Sequence, residues 1–119
     1  MRIRALLCAL ILSALIGVPS ATAASVTLHA SPTTVHRGHS VHLFGTVPGC
    51  GGPLTLISRA FRHTHDFAGL PAIYAPLSAT GAYSVHPTIP ASRTPGKYAV
   101  TGRCGGGNIG VSVTLHVIA

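Results

Sequence analysis

The stretch T-P-G-K-Y-A-V-T-G-R-C-G-G-G, Thr94 to Gly107, reads as the central strand of a sandwich with a cysteine at its end. Pro95-Gly96 is a turn signal. From Tyr98 the residues alternate, with Tyr98, Val100, Gly102 and Cys104 on one face and Ala99, Thr101 and Arg103 on the other. A half-buried strand requires that period of two. Gly105 to Gly107 then free the backbone, so Cys104 can reach a partner at the tip of the domain.

On its C-terminal side the chain repeats the pattern, with Val111, Val113, Leu115 and Val117 facing in and Ser112, Thr114 and His116 facing out. Towards the N-terminus, Val26 to His29 predicts a strand that ends, or switches sheets, at Ser31-Pro32, and the proline argues for an edge. Val41, Leu43, Gly45 and Val47 predict the inner face of a second strand, and Leu54 to Ile57 a third. Arg59 to Gly69 is polar and reads as a connection. Ala72 to Leu77, with Pro76 inside it, predicts an edge strand; Ser78 to Gly81 predicts a hairpin turn into a strand with Tyr83 and Val85 inward. Beyond the N-terminal segment nothing has the i, i+3, i+4 apolar spacing of a helix. The expectation is an all-β, two-sheet sandwich of about seven strands.

The N-terminal segment has a different character. Arg2 and Arg4 precede an apolar run from Ala5 to Val18, followed by Pro19 and the small residues Ser20 to Ala24. This predicts a signal peptide over residues 1–24, with Cys8 leaving alongside it, and one secreted domain over 25–119. The apolar run is too short for the ~20 residues of a spanning helix, so no transmembrane anchor is expected. Cys50 and Cys104 then remain as an even pair in an oxidising compartment, which predicts one disulfide.

The domain carries six cations, Arg37, Arg59, Arg62, Arg93, Lys97 and Arg103, against one carboxylate, Asp66, a net charge of +5 with histidines neutral. All eight histidines lie in the same part of the chain. Such a surface is drawn to anionic polymers, increasingly so in mild acid. The cations are scattered, however, which fits simple solubility as well as a dedicated site.

Three segments, S-P-T-T-V-H-R-G-H-S-V-H-L-F-G (31–45), A-T-G-A-Y-S-V-H-P-T-I-P (79–90) and P-G-K-Y-A-V-T-G-R-C (95–104), resemble the immunoglobulin-like domains of bacterial secreted and cell-surface proteins. The resemblance covers nearly all of residues 25–119. It implies an immunoglobulin-like sandwich and is silent on function, because such domains serve as adhesion modules, spacers and binding domains alike. Two departures stand out: no core tryptophan is present, and Tyr98 lies six residues before Cys104 instead of two. Since Cys50 follows its strand and Cys104 ends its own, the bridge is expected at one pole. Tyr98 is a candidate tyrosine corner.

A single carboxylate excludes paired-acid hydrolysis. There is no Gly-x-Ser-x-Gly elbow, and Gly105 to Gly107 lacks the Lys-Ser/Thr and helix of a phosphate loop. A non-enzymatic binding or cell-envelope module, monomeric and without a cofactor, is the primary expectation. Its partner is an anionic cell-wall polymer or a cell-surface protein. Dispersed cations and inward tyrosines argue against nucleic acid. Arg59, Phe61, Arg62, His63, His65 and Phe67 are the candidate partner-binding residues, because this loop mixes cations, aromatics and the lone acid. The alternative is a histidine-based extracellular metal binder using His63, His65 and Asp66. His36, His39 and His42, spaced by three, are a weaker set, while His29, His42, His86 and His116 read as outward strand residues.

Overall fold

A computed structural model describes residues 25–119, so the signal-peptide expectation for 1–24 lies outside the described residues. The described chain contains strands and no helix: β1 (Thr27–Ser31), β2 (Thr34–His36), β3 (His42–Thr46), β4 (Leu54–Ile57), β5 (His65–Phe67), β6 (Leu70–Ala75), β7 (Ala82–Val85), β8 (Gly96–Cys104) and β9 (Gly107–Ile118). They form a three-stranded sheet in the order β1-β3-β7 and a six-stranded sheet in the order β2-β9-β8-β4-β6-β5.

The opening stretch is central, as its alternation predicts: β8 lies between β9 and β4. Gly105 and Gly106, at φ of 59° and 91°, close the two-residue turn into β9, a conformation that side chains with a Cβ resist. Near the N-terminus the chain does switch sheets. β1 pairs with β3, and after the cis Ser31–Pro32 peptide β2 runs parallel to β9 in the other sheet.

Alternate side chains of both sheets meet in one core. Leu43 and Tyr83 enter it from the three-stranded sheet, and Leu54, Leu56, Val100 and Leu115 from the other. Tyr83 is nearly fully buried; its hydroxyl donates to the Thr27 carbonyl oxygen at 2.8 Å. Burial pushes its pKa up to about 12, because the phenolate is the form that loses hydration.

The disulfide joins Cys50, after β3, to Cys104, at the end of β8, with 5.9 Å between Cα atoms. It links the two sheets at one pole, as expected from the cysteines' places in the strands. In the chain-entropy model, closing a loop with this separation of 54 residues stabilises by about 4 kcal/mol.

Three expectations need correction. The polar segment contains β5, which pairs with β6 through a turn at Ala68 and Gly69, φ of 54° and 87°. A three-residue strand is too short to display alternation. Consequently β6 is not an edge; it lies between β4 and β5, and Pro76 falls after it. The Ser78–Gly81 turn is tight, with Ser78 Oγ accepting from the Ala82 amide at 3.0 Å, yet it does not make a hairpin. It carries the chain from the six-stranded sheet to β7 in the three-stranded one.

Candidate functional site

The loop singled out in the sequence is divided by the fold. Phe61 is fully buried and belongs to the core, so its ring is unavailable to a partner. It is held there by a small polar knot. Ser58 Oγ accepts from the Ala60 amide at 3.1 Å, and the Arg93 guanidinium donates to the Ala60 and Phe61 carbonyls at 3.3 and 2.8 Å. Arg93 reaches this loop from the proline-bearing crossover before β8, a contact that sequence spacing does not reveal.

His63 and Asp66 pair with each other, Nε2 to Oδ1 at 2.9 Å, and both are exposed. The other Asp66 oxygen accepts from the Gly69 amide at 3.2 Å, fixing the β5–β6 turn. His65 leaves this pair and stacks on Tyr74, with centroids 4.2 Å apart and planes at 22°. Two of the three candidate metal ligands are therefore adjacent, and the third faces an aromatic ring. Among the described residues no group of three or more His, Cys, Asp or Glu side chains is placed to hold a metal. Arg62 lies apart, beside a hollow of about 290 Å³ that it lines with Thr64, Ile73 and Thr88.

Arg59 and Phe67 join a different surface, the outer face of the six-stranded sheet. Leu54 and Leu56 point into the core, so Ile57 and its register partner Ala72 point outward, yet both are buried. The β5–β6 hairpin accounts for this. β5 and β8 are separated by two strands in the sheet, but the Phe67 ring lies 5.3 Å from the Arg103 guanidinium carbon. Phe67 thus folds back over the face, and the cation sits against its π-system. Arg103 Nε is buried and has no hydrogen-bond partner, while Nη1 of the same guanidinium donates to the Gly106 carbonyl oxygen at 3.5 Å.

Beside this lid is a hollow of about 330 Å³, with a floor formed by Ile57, Leu70, Ala99 and Thr101 and with Arg59 and Lys97 lining it. The side chains of Arg59 and Lys97 are exposed. The His63–Asp66 pair is the one salt bridge among the described residues, and Asp66 is the chain's single acid. An apolar floor flanked by two cations without carboxylate partners can take an anionic group at its rim and apolar surface below it. Of the residues forming this face, alternation along β8 places Ala99, Thr101 and Arg103 outward. The same alternation places Lys97 of β8 and Ile57 of β4 outward, but that they share one hollow with Leu70 and Arg59 follows only from strand order. A larger depression of about 430 Å³ at the disulfide pole is lined by Gly51, Pro53, Pro76 and Leu77 among others. No charged side chain lines it.

Near the start of β8 the Tyr98 hydroxyl donates to the Thr94 carbonyl, four residues upstream, the bond expected of a tyrosine corner.

No protein-family model and no curated protein matches the chain. Among solved structures it is similar to the Pseudomonas fluorescens alkylpurine DNA glycosylase AlkC bound to DNA containing an abasic site analog, at 17% identity and a TM-score of 0.56. The likeness covers 81% of this chain and 31% of that protein, so the chain spans about a third of its length. At this identity the likeness shows the fold alone.

Proposed function

We propose that residues 25–119 are an immunoglobulin-like module, secreted behind a signal peptide at 1–24, that binds an anionic cell-envelope polymer and performs no catalysis. The fold reading draws on the sheet switch between β1 and β2, the polar-end disulfide and the Tyr98–Thr94 bond. The functional reading rests on one observation: Arg59 and Lys97 flank an apolar hollow in a chain whose only carboxylate is engaged by His63 and Gly69. The partner is a polymer because scattered cations gain affinity from repeated charges. Arginine and lysine remain charged across the physiological range, so this face holds its partner with little dependence on pH.

Retention on a phosphate-rich polymer matrix, compared with duplex DNA of matched charge density, tests the proposal. Arg59→Ala/Lys97→Ala is expected to weaken retention about two- to thirtyfold, with each exposed contact worth about 0.2–1 kcal/mol, and added salt weakens it further. Equal retention of the double variant would refute the site. Preferential retention on DNA would replace the proposed partner. Saturable zinc binding that disappears in His63→Ala/His65→Ala would favour the metal-binding alternative.

A further inference from the structure

Three imidazoles and a phenyl ring form a continuous strip across the outer face of the three-stranded sheet. His29 of β1 lies opposite Phe44 of β3 in register, with ring centroids 5.3 Å apart. Phe44 and His42 share a face of β3, at 4.6 Å. His42 and His86, the residue after β7, stack at 4.3 Å with planes only 8° apart. His42 Nε2 is 2.7 Å from Ser84 Oγ, which fixes the ring's orientation. Taken singly, each histidine is an outward strand residue. The period of two along β3 and the antiparallel register assemble them into one surface.

The chemistry of the strip limits what it can hold. Ring-plane lone pairs of two cofacial imidazoles lie in nearly parallel planes and do not converge on one metal ion. Because neighbouring rings face one another, what the strip offers outward is ring edges, bordered by hydroxyls of Ser84 and the hydrogen-bonded Thr27–Thr46 pair. β1, β3 and β7 contain no Lys, Arg, Asp or Glu, and Asp66 sits on β5 of the other sheet. Tyr83 of β7 points into the core, and His39 of the adjoining turn lies towards His36. The charge of the strip is therefore set by His29, His42 and His86 alone. Imidazole side chains gain their protons between about pH 8 and 5. Two stacked imidazolium rings repel unless an anion lies against them.

We propose that this strip is a binding site for an acidic polysaccharide, with its carboxylates paired to imidazolium N–H groups at the ring edges and its hydroxyls meeting those of Ser84, Thr27 and Thr46 along the border. Three strands about 4.8 Å apart make the strip roughly 10 Å wide, enough for a short oligosaccharide. Binding at this face strengthens in mild acid. It uses residues on the opposite sheet from Arg59 and Lys97, so either site can fail without the other.

The test is calorimetric titration of the full protein at low salt with oligogalacturonate and with an uncharged malto-oligosaccharide of equal length, at pH 5.5 and 7.5. The acidic ligand is expected to bind about tenfold more tightly at pH 5.5, each exposed imidazolium–carboxylate pair contributing roughly two- to fivefold. His42→Ala/His86→Ala, checked for an unchanged circular dichroism spectrum, is expected to remove that increment. His86→Phe retains ring packing and is expected to lose part of it, whereas His116→Ala, on β9 of the six-stranded sheet, leaves it intact. Equal affinity at both pH values would overturn the proposal. So would absence of oligogalacturonate binding, an equal affinity for the uncharged ligand at pH 5.5, or an increment that survives His42→Ala/His86→Ala.

Discussion

Adding one methyl group at Gly45 is expected to be among the most damaging small changes in this domain. Gly45 lies opposite Leu28 in the β1–β3 ladder, and a Cβ there would meet the Thr27 carbonyl oxygen at 2.2 Å and the Tyr83 hydroxyl at 2.8 Å. Carbon contacts are comfortable only near 3.5 Å, so β1 and the tyrosine must separate from β3 by about 1 Å. That movement breaks the 2.8 Å Tyr83–Thr27 hydrogen bond and disturbs the 2.9 Å bond from the Thr46 amide to Thr27 Oγ1. Overpacking of this kind costs about 1–3 kcal/mol and the lost bond about 1. The reduced entropy of the unfolded chain offsets about 0.5–1 kcal/mol. Gly45→Ala is therefore expected to destabilise by about 2–3 kcal/mol, which lowers Tm by roughly 8–20 °C in a domain of this size. Thermal denaturation of the oxidised protein measures it. Tyr83→Phe alone is expected to cost about 1 kcal/mol. In the double variant the losses should fall short of additive, because the missing hydroxyl is one of the three obstructing atoms. A loss below about 0.5 kcal/mol in Gly45→Ala would refute the steric argument.

The other predictions concern the disulfide, the buried phenol and the core loop. Cys50→Ala/Cys104→Ala is expected to lose about 4 kcal/mol in denaturant unfolding, matching the loop closed by the bridge. Tyr83 is neutral in the folded state up to about pH 12, whereas an unfolded tyrosine ionises near pH 10. Between those values the unfolded chain binds fewer protons, so stability falls as pH rises, by about 1–3 kcal/mol across the window. Unfolding curves from pH 9 to 12 should show that decline for the native protein and a smaller one for Tyr83→Phe. Phe61→Ala is expected to destabilise by about 3–5 kcal/mol through its cavity. Retention on an anionic matrix should remain unchanged while the protein is folded; a selective loss of retention would return Phe61 to the binding surface.

Much of the fold is legible in single strands. Alternation along Tyr98–Cys104 and Val111–Val117 identifies a central strand and its neighbour because one face of each must be apolar. Cysteine parity names the Cys50–Cys104 pair, and Pro32 marks the place where the chain leaves its first sheet. The candidate site was less legible. The Arg59–Phe67 loop mixes residues of opposite destinations: Phe61 enters the core, His63 and Asp66 brace a turn, and Phe67 covers the outside of a sheet. Hydropathy treats Phe61 and Phe67 alike.

The sequence by itself determined the all-β character of the described residues, the inward residues of their longer strands, the disulfide and a positive charge with one acid to set against it. These follow from local periodicity and composition, which neighbouring residues express without knowledge of the rest of the chain. Tertiary structure alone decided that Ser78–Gly81 crosses between sheets, that Arg93 ties down Phe61, and that Lys97 shares a hollow with Arg59. It also brought His29, His42 and His86 beside Phe44. Those juxtapositions depend on strand order and register between segments distant in sequence, and period-two alternation says which face a side chain occupies but not which strand will lie beside it.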